Sequence, residues 1–244
     1  MEKQEVLKNC TIEGNVIKLP DVKLDRKVYQ EVAKSIEIIG GKWTGGKIAG
    51  FLFDKDPSEL FSKLTYHSDT NIKKKFQFFA TPDKLSDKLV ELSSIDKNDT
   101  ILEPSAGQGS IIKAINKIQP SITVDCYELL DINVDILNKS GLNFNLIGDD
   151  FLNHRNKKYS KIIANPPFTN NQDIQHLRLM YDYLSDGGRL VCITSESWIT
   201  GNQKKQVEFR EWLSSVDSMI LDIEKGEFKE SGTLVGGKIV FINK

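Results

Sequence analysis

The sequence predicts an α/β fold: a mostly parallel sheet covered by helices on both faces, with a small N-terminal α+β module ahead of it. Three observations carry that expectation. From about residue 76 onward, short apolar runs alternate strictly with amphipathic stretches, the grammar of strand–helix–strand units. The first of those runs ends in a small-residue turn, Gly107-Gln108-Gly109, that opens a helix. Ahead of them, the polar stretch TYHSDTNIKKK at 65–75 breaks the periodicity and predicts a linker, so the chain divides into parts 1–75 and 76–244.

In the first part, CTIEGNVIKL reads as a hairpin around Glu13-Gly14-Asn15. Asp25 is placed to cap a helix whose apolar stripe is Val28, Val32, Ile36 and Ile39, stopped by Gly40-Gly41. A second hairpin follows, with Trp43 leading into the Thr44-Gly45-Gly46-Lys47 turn and Ile48 to Phe53 returning. Asp56-Pro57 then starts a helix through Leu60, Phe61 and Leu64.

In the second part, Thr81-Pro82 caps a helix bearing Leu85, Leu89 and Leu92. Strands at 100–103 and 122–128 flank a helix at 110–118. The alternation continues with a helix at 132–138, strands at 143–147 and 161–164, a helix at 173–184 stopped by Gly187-Gly188, and a strand at 189–194. A helix over 204–213 and strands at 218–223 and 237–243 complete the order. Those last two leave no room for a helix between them, so they are expected to pair antiparallel at the edge of the sheet.

Lys and Arg number 33 against 34 Asp and Glu, a net charge of −1, which excludes histone-like or polybasic-tail attraction to a polyanion. Charge is uneven, however: 1–75 holds 14 basic and 11 acidic residues, and 76–244 holds 19 and 23. Cys10, Cys126 and Cys192 are too few and scattered for a disulfide framework or zinc cluster and read as reduced, buried thiols of a cytoplasmic protein. His67, His154 and His176 have no spacing of a ligand set, so no metal is expected. The start of the chain has no secretory apolar region, and no run approaches the roughly 18 to 20 residues needed to cross a bilayer. No membrane association is expected.

The first chemical constellation is Glu103-Pro104-Ser105-Ala106-Gly107-Gln108-Gly109, where a first strand turns into a first helix. Small residues there let the backbone approach a ligand, and the helix N-terminus supplies unpaired N–H groups. Glu128, 25 residues beyond Glu103 at the end of the second strand, suits hydrogen bonds from ribose hydroxyls. A dinucleotide site would carry a third glycine, where this chain has Ile112. Glu103 would repel a pyrophosphate and attract an ammonium or sulfonium, a sign argument that favours S-adenosylmethionine over a nicotinamide dinucleotide. After the third strand, Asp150 is placed to accept from an adenine amino group while Phe151 packs on its ring; a solvated Asp-Asp turn is the other reading of the same residues.

The second constellation is Asn165-Pro166-Pro167-Phe168 at the end of the fourth strand. Two prolines end the ladder and stiffen the backbone. The Asn165 side-chain carbonyl and the Pro166 backbone carbonyl are then two acceptors aimed at one point, suited to a planar amine that donates both hydrogens. Phe168 offers a platform for a planar base.

Together these motifs resemble those of class I S-adenosylmethionine-dependent methyltransferases of the amino-methylating branch, DNA adenine-N6 methyltransferases of the N-P-P-F type above all. The resemblance covers 76–244, with Phe79-Ala80-Thr81-Pro82 matching the motif that precedes the first strand. It implies a Rossmann-like sheet of seven strands with the last one antiparallel, and a cofactor pocket lined by Thr81, Glu103, Ala106, Gly107, Glu128, Asp150 and Asn165. It also implies methyl transfer to the N6 amine of adenine in DNA, with the base flipped against Phe168. Similar motifs occur in methyltransferases acting on guanine N2 of rRNA and on protein glutamine. Those substrates, and a non-catalytic subunit of a larger complex, stand as alternatives.

Members of this branch usually carry a long target-recognition domain, for which 76–244 leaves no space. Substrate reading is therefore expected from the module, from the loop Thr169 to Gln172, from the segment 195–205, or from a partner chain or second copy in a homodimer. Trp198, Lys204 and Lys205 are candidate substrate contacts, and Lys73-Lys74-Lys75 and Lys157-Lys158 candidate phosphate contacts. A restriction-modification system, an orphan regulator and a phage or plasmid enzyme protecting its own DNA all suit such a protein.

Overall fold

Strand–helix alternation requires a sheet with two covered faces, and a computed structural model of the chain has that architecture. It describes residues 1–67, 81–153, 157–224, 226–227 and 236–244. Residues 68–75 of the expected linker, Phe79-Ala80, Lys73-Lys74-Lys75, His154 and the His67 side chain lie outside that description. The chain forms two compact units, Met1–Lys75 and Phe76–Lys244.

The first unit runs α1 (Lys3–Lys8), β1 (Thr11–Glu13), β2 (Val16–Lys18), α2 (Arg26–Ile38), β3 (Lys42–Thr44), β4 (Gly50–Leu52) and α3 (Ser58–His67). Its four strands form an antiparallel sheet in the order β1-β2-β4-β3. Asp25 caps α2, accepting from the Lys27 amide at 2.8 Å. The register sets Ile12, Ile17, Phe51 and Trp43 side by side in one row. Ile17 and Phe51 are fully buried in a core shared with Val32 and Ile36 of α2 and Phe61 of α3. Helix α1 was not anticipated. It is too short for a period to show, and it holds because Val6 and Leu7 are buried.

The second unit contains α4 (Asp83–Ser93), β5 (Ile101–Glu103), α5 (Ser110–Ile118), β6 (Val124–Tyr127), α6 (Asp131–Ser140), β7 (Phe144–Gly148) and β8 (Tyr159–Ala164). It continues with α7 (Gln172–Asp182), β9 (Leu184–Thr194), α8 (Ser197–Thr200), α9 (Lys204–Ser215), β10 (Ser218–Ile223) and β11 (Gly237–Asn243). The seven strands are ordered β10-β11-β9-β8-β5-β6-β7. Strand β11 is antiparallel to both neighbours, and the other pairings are parallel. The Rossmann-like sheet expected from the sequence is therefore present.

Strand periodicity explains how the sheet is covered. Successive residues point to opposite faces, so Ile101, Ile163, Val191 and Ile193 join one apolar layer with Leu89 of α4 and Ile112 and Ile115 of α5. Their neighbours Leu102, Ile162, Leu190 and Cys192 join the other layer with Leu177 and Met180 of α7 and Phe209 of α9. The chain leaves β5 for β6 on one side and later returns to β8 on the other. The carboxyl ends of β5 and β8 thus flank the point where strand order reverses, which is where open α/β sheets bind ligands.

Two expectations need correction. The helix expected to run to Leu184 ends at Asp182, and Gly187-Gly188 lies inside β9. The register between β8 and β9 shifts there, and Gly187 (φ +75°) donates to the Lys244 carbonyl at 2.7 Å, so these glycines serve a strand irregularity and not a helix stop. Cys126 and Cys192 are buried, but Cys10 is only half-buried, because it follows α1 and sits in no strand. Among the described residues no helix is long and apolar enough to cross a membrane.

Phe151 is among the largest fully buried side chains, packed edge-on against Tyr127 and Tyr183. Phe151→Ala is expected to lower unfolding free energy by about 3–5 kcal/mol, read from urea denaturation midpoints at unchanged m-value.

Candidate active site

Strand β5 delivers Glu103 to the reversal point, and the following loop folds back on the end of β6. The Ala106 amide donates to the Tyr127 carbonyl at 2.9 Å, and the Gly107 amide to Glu128 Oε2 at 2.7 Å. The other carboxylate oxygen of Glu128 accepts from the Leu130 amide at 2.8 Å and the Asn133 side chain at 3.1 Å. Both glycines of the turn adopt positive φ, +56° at Gly107 and +86° at Gly109. At Gly109 a Cβ would also lie 2.8 Å from both Leu137 Cδ2 and Leu142 Cδ1, so packing as well as backbone conformation excludes a side chain.

Glu103 is 2% exposed, and among the described residues its Oε2 has no hydrogen-bond partner. Burial pushes its carboxyl well above the usual carboxylate range, Glu128 adds to the rise, and a bond from the Ile112 amide in the first turn of α5 opposes it. Burial also raises Glu128, against the bonds it accepts from the Leu130, Asn133 and Gly107 N–H groups. Ser105 Oγ in the same loop is buried and, among the described residues, without a partner. A buried acceptor left open beside a second carboxylate fits a cationic ligand, because the ligand's charge and donors supply what the fold withholds. Glu103 and Glu128 therefore fit the sulfonium or ammonium and the ribose of S-adenosylmethionine.

The second half of the site is built by β8 and the residues ahead of α4. Asn165 Nδ2 donates to Thr81 Oγ1 at 3.0 Å. Thr81 is buried and does not cap α4 as its sequence position suggests; Pro82 occupies the cap position, and the Thr81 hydroxyl is spent on Asn165. With its NH2 committed to Thr81, the Asn165 amide turns its oxygen the other way. Among the described residues nothing donates to that oxygen or to the Pro166 carbonyl. Phe168 is partly buried against the apolar layer that contains Leu85 and Leu89.

The residues after the motif are tied down by contacts that the sequence reading missed. Asn170 and Asn171 both take left-handed backbone (φ +58° and +60°), a conformation Asn tolerates better than most residues. Asn171 Nδ2 donates to Gln203 Oε1 at 2.8 Å, and its Oδ1 accepts from Gln206 Nε2 at 3.0 Å. Fully buried Asp173 accepts from the Ser195 amide at 2.8 Å. The loop Thr169 to Gln172 is thereby clamped to the segment after β9. The Asn-Asn pair was the available signal.

Among the other candidates, Phe151 and Trp198 are core residues. Asp150 caps the 3-10 turn Phe151–Asn153, accepting from the Leu152 amide at 3.0 Å. Phe151, at 1% exposure, is a core residue and not a free platform for an adenine ring. Beside it, burial lowers the His176 pKa to about 4, against the pull of Asp150. Trp198 is 3% exposed, donates its indole N–H to Thr194 Oγ1 at 3.0 Å and meets Phe209 edge-on. It anchors the core and offers substrate no ring face. Lys204 and Lys205 are exposed at the start of α9, Lys204 lying 3.7 Å from Glu208. Among the described residues no group of His, Cys, Asp and Glu is arranged to hold a metal ion.

Comparisons with known proteins agree with this fold. The family model described as "Methyltransferase small domain" matches residues 78–217. The chain is 32% identical over 105 residues to ribosomal RNA small subunit methyltransferase A of Fusobacterium nucleatum, an alignment covering 39% of this chain and 39% of that protein. It thus spans about two fifths of that curated relative's length. Among solved structures, the M protein of the type I restriction enzyme EcoKI superposes with a TM-score of 0.57 at 15% identity, covering 99% of this chain and 56% of that one. A Listeria monocytogenes protein assigned to the class I S-adenosylmethionine-dependent methyltransferases gives 0.54 at 14% identity, covering 77% and 68%.

Glu103→Gln tests the electrostatic reading in two directions. A carboxyl whose folded pKa lies above its unfolded one contributes stability that is present below the unfolded value and lost as pH rises through the folded value. Cofactor-free Glu103→Gln should therefore melt above the native protein at pH 8, with the difference shrinking toward acidic pH in thermal scans. The same variant should bind S-adenosylmethionine about tenfold or more weakly by calorimetry. Native affinity should fall as pH drops through the raised pKa.

Proposed function

The chain belongs to the methyltransferase small-domain family, with S-adenosylmethionine as its cofactor, and on that premise we propose that it methylates the N6 amine of adenine in DNA. The observation that carries the reading is the Thr81–Asn165 hydrogen bond, which engages the Asn165 NH2 and leaves its oxygen available, one residue ahead of the Pro166 carbonyl. Two acceptors of fixed direction take the two hydrogens of a planar exocyclic amine and so orient its lone pair. When bound, S-adenosylmethionine supplies an electrophilic methyl group on a positively charged sulfur. Glu103 balances positive charge at the reversal point, Glu128 holds the loop and meets ribose hydroxyls, and Phe168 supports the flipped base. The likeness of fold to a type I restriction M protein along nearly the whole chain favours DNA.

In this reading, 76–244 is the catalytic domain and 1–75 contributes to substrate contact. Target selection is completed by a partner chain or a second copy. A second reading is RNA methylation, favoured by the Fusobacterium relative named for ribosomal RNA.

The test is incubation with methyl-labelled cofactor and adenine-containing DNA, with a parallel arm of RNA and nucleoside analysis of the product. Labelled N6-methyladenine in DNA is expected; label confined to RNA, or absent with cofactor-bound protein, refutes the DNA reading. Asn165→Ala should retain cofactor binding while kcat falls by about 10²–10³-fold, the scale of removing one aligned hydrogen-bonding group from a reacting centre. Thr81→Val, which keeps shape but removes the acceptor, should lower kcat by about tenfold and Thr81→Ser should restore it, since net hydrogen bonds are worth about 1 kcal/mol and loss of alignment adds to that.

A further inference from the structure

The first unit carries an exposed aromatic surface that neither its own core nor the methyl-transfer site accounts for. Trp43 is 47% exposed and Tyr29 beside it 36%. Trp43 closes the cross-strand row that includes fully buried Phe51, whose ring it meets at 5.1 Å and 69°, and Tyr29 of α2 meets Trp43 at 6.4 Å and 81°. The indole is thus braced by one ring rooted in the core and by a second on the helix. Half of the indole still faces solvent. In a unit this small, burying a tryptophan is one of the larger available gains, so leaving it out is a cost that wants a cause.

Charge indicates what that surface meets. From Gly40 to Phe53 there are two lysines, Lys42 and Lys47, and no acidic residue. Both are exposed, and neither takes part in an ion pair with a described residue, whereas Lys18 on β2 is paired with Glu13. Between them, Gly45 and Gly46 have no heavy atom within 4 Å of where a Cβ would stand, so the loop backbone is open to a ligand. A braced indole flanked by unpaired cations is the chemistry of stacking on bases while phosphates are neutralised. Bases inside a duplex already stack on one another, so the fitting ligand is an unpaired strand.

We propose that Trp43, backed by Tyr29 and Phe51, stacks on a base of an unpaired nucleic-acid strand while Lys42 and Lys47 neutralise neighbouring phosphates. The proposal rests on the reading that the substrate is a nucleic acid, and it adds a contact surface carried by the first unit.

The experiment titrates the full chain with an oligothymidylate, the matching oligouridylate and a duplex, reading tryptophan emission and fluorescence anisotropy. Quenching by single strands, with weaker binding of the duplex, is expected. Trp43→Ala should weaken single-strand binding about tenfold, the scale of one lost base–aromatic stack, and Trp43→Phe should keep most of it. Lys42→Ala with Lys47→Ala should reduce the slope of log K against log salt by about 1.4, for two phosphates on a single strand. Preference for either sugar supports the stack equally. Equal affinity of native protein and Trp43→Ala, or a duplex bound as tightly as single strands, overturns it. So does a dimer that Trp43→Ala converts to monomer in sedimentation, which would make the patch a self-association face. Methyl transfer is scored on the same samples. Absent transfer with Trp43-dependent binding intact counts against methylation of nucleic acid alone; normal transfer with binding and KM unchanged in Trp43→Ala counts against stacking alone.

Discussion

Two carboxylates at one end of a sheet govern the second unit. Glu128 accepts from backbone and side-chain N–H groups and thereby holds the small-residue loop against β6. Glu103, a strand away, is buried with an oxygen left unmatched and with Glu128 adding to the cost of its charge. One carboxylate builds the loop and the other is left waiting for a cation. Any ligand that enters must bring positive charge and donors, or the desolvation of Glu103 goes uncompensated. Under the proposed function, a preference for a sulfonium over a pyrophosphate would follow from this buried carboxyl, before any shape of the pocket is considered.

The opposite side of the site depends on a neutral interaction of the same precision. A primary amide presents a donor end and an acceptor end, and without a fixed partner it can present either to a substrate. In the structure Thr81 accepts from the Asn165 NH2, so the acceptor end of the amide faces away from Thr81. The two prolines stiffen the chain beyond it, and Asn171 and Asp173 fasten the following loop to the segment after β9. Rigid strands, a clamped loop and a defined amide direction are what positioning catalysis requires, because misplacement of an ångström costs rate heavily.

Much of this was legible in the sequence, for identifiable reasons. Strand and helix periods differ, so the alternation of elements and the antiparallel pair at the edge could be read from spacing alone. The sign of Glu103 pointed to a cation without any knowledge of its burial. Aromatic residues were harder, since a ring next to a binding motif and a ring filling the core look alike in sequence. Phe151 and Trp198 prove to be core, while Trp43, read only as the lead into a turn, is the exposed one. Gly187-Gly188 resembled a helix stop because glycine punctuates strands and helices alike. Thr81 looked like a cap because its partner lies 84 residues away, a tertiary contact that no local pattern encodes. The clamp made by Asn171 was hidden for the same reason.

The position of β11 between β9 and β10 imposes an order on how the sheet assembles. Strand β10 precedes β11 in the chain, yet among the described strands only β11 pairs with it, and β11 in turn reaches back to β9. While the chain is being synthesised, β10 emerges with its hydrogen-bonding groups unmatched and with Met219 and Ile220 in water. It is an open edge of the kind that invites wrong pairing between chains. In the folded sheet β11 closes both edges at once, joining β9 and β10 in one continuous ladder.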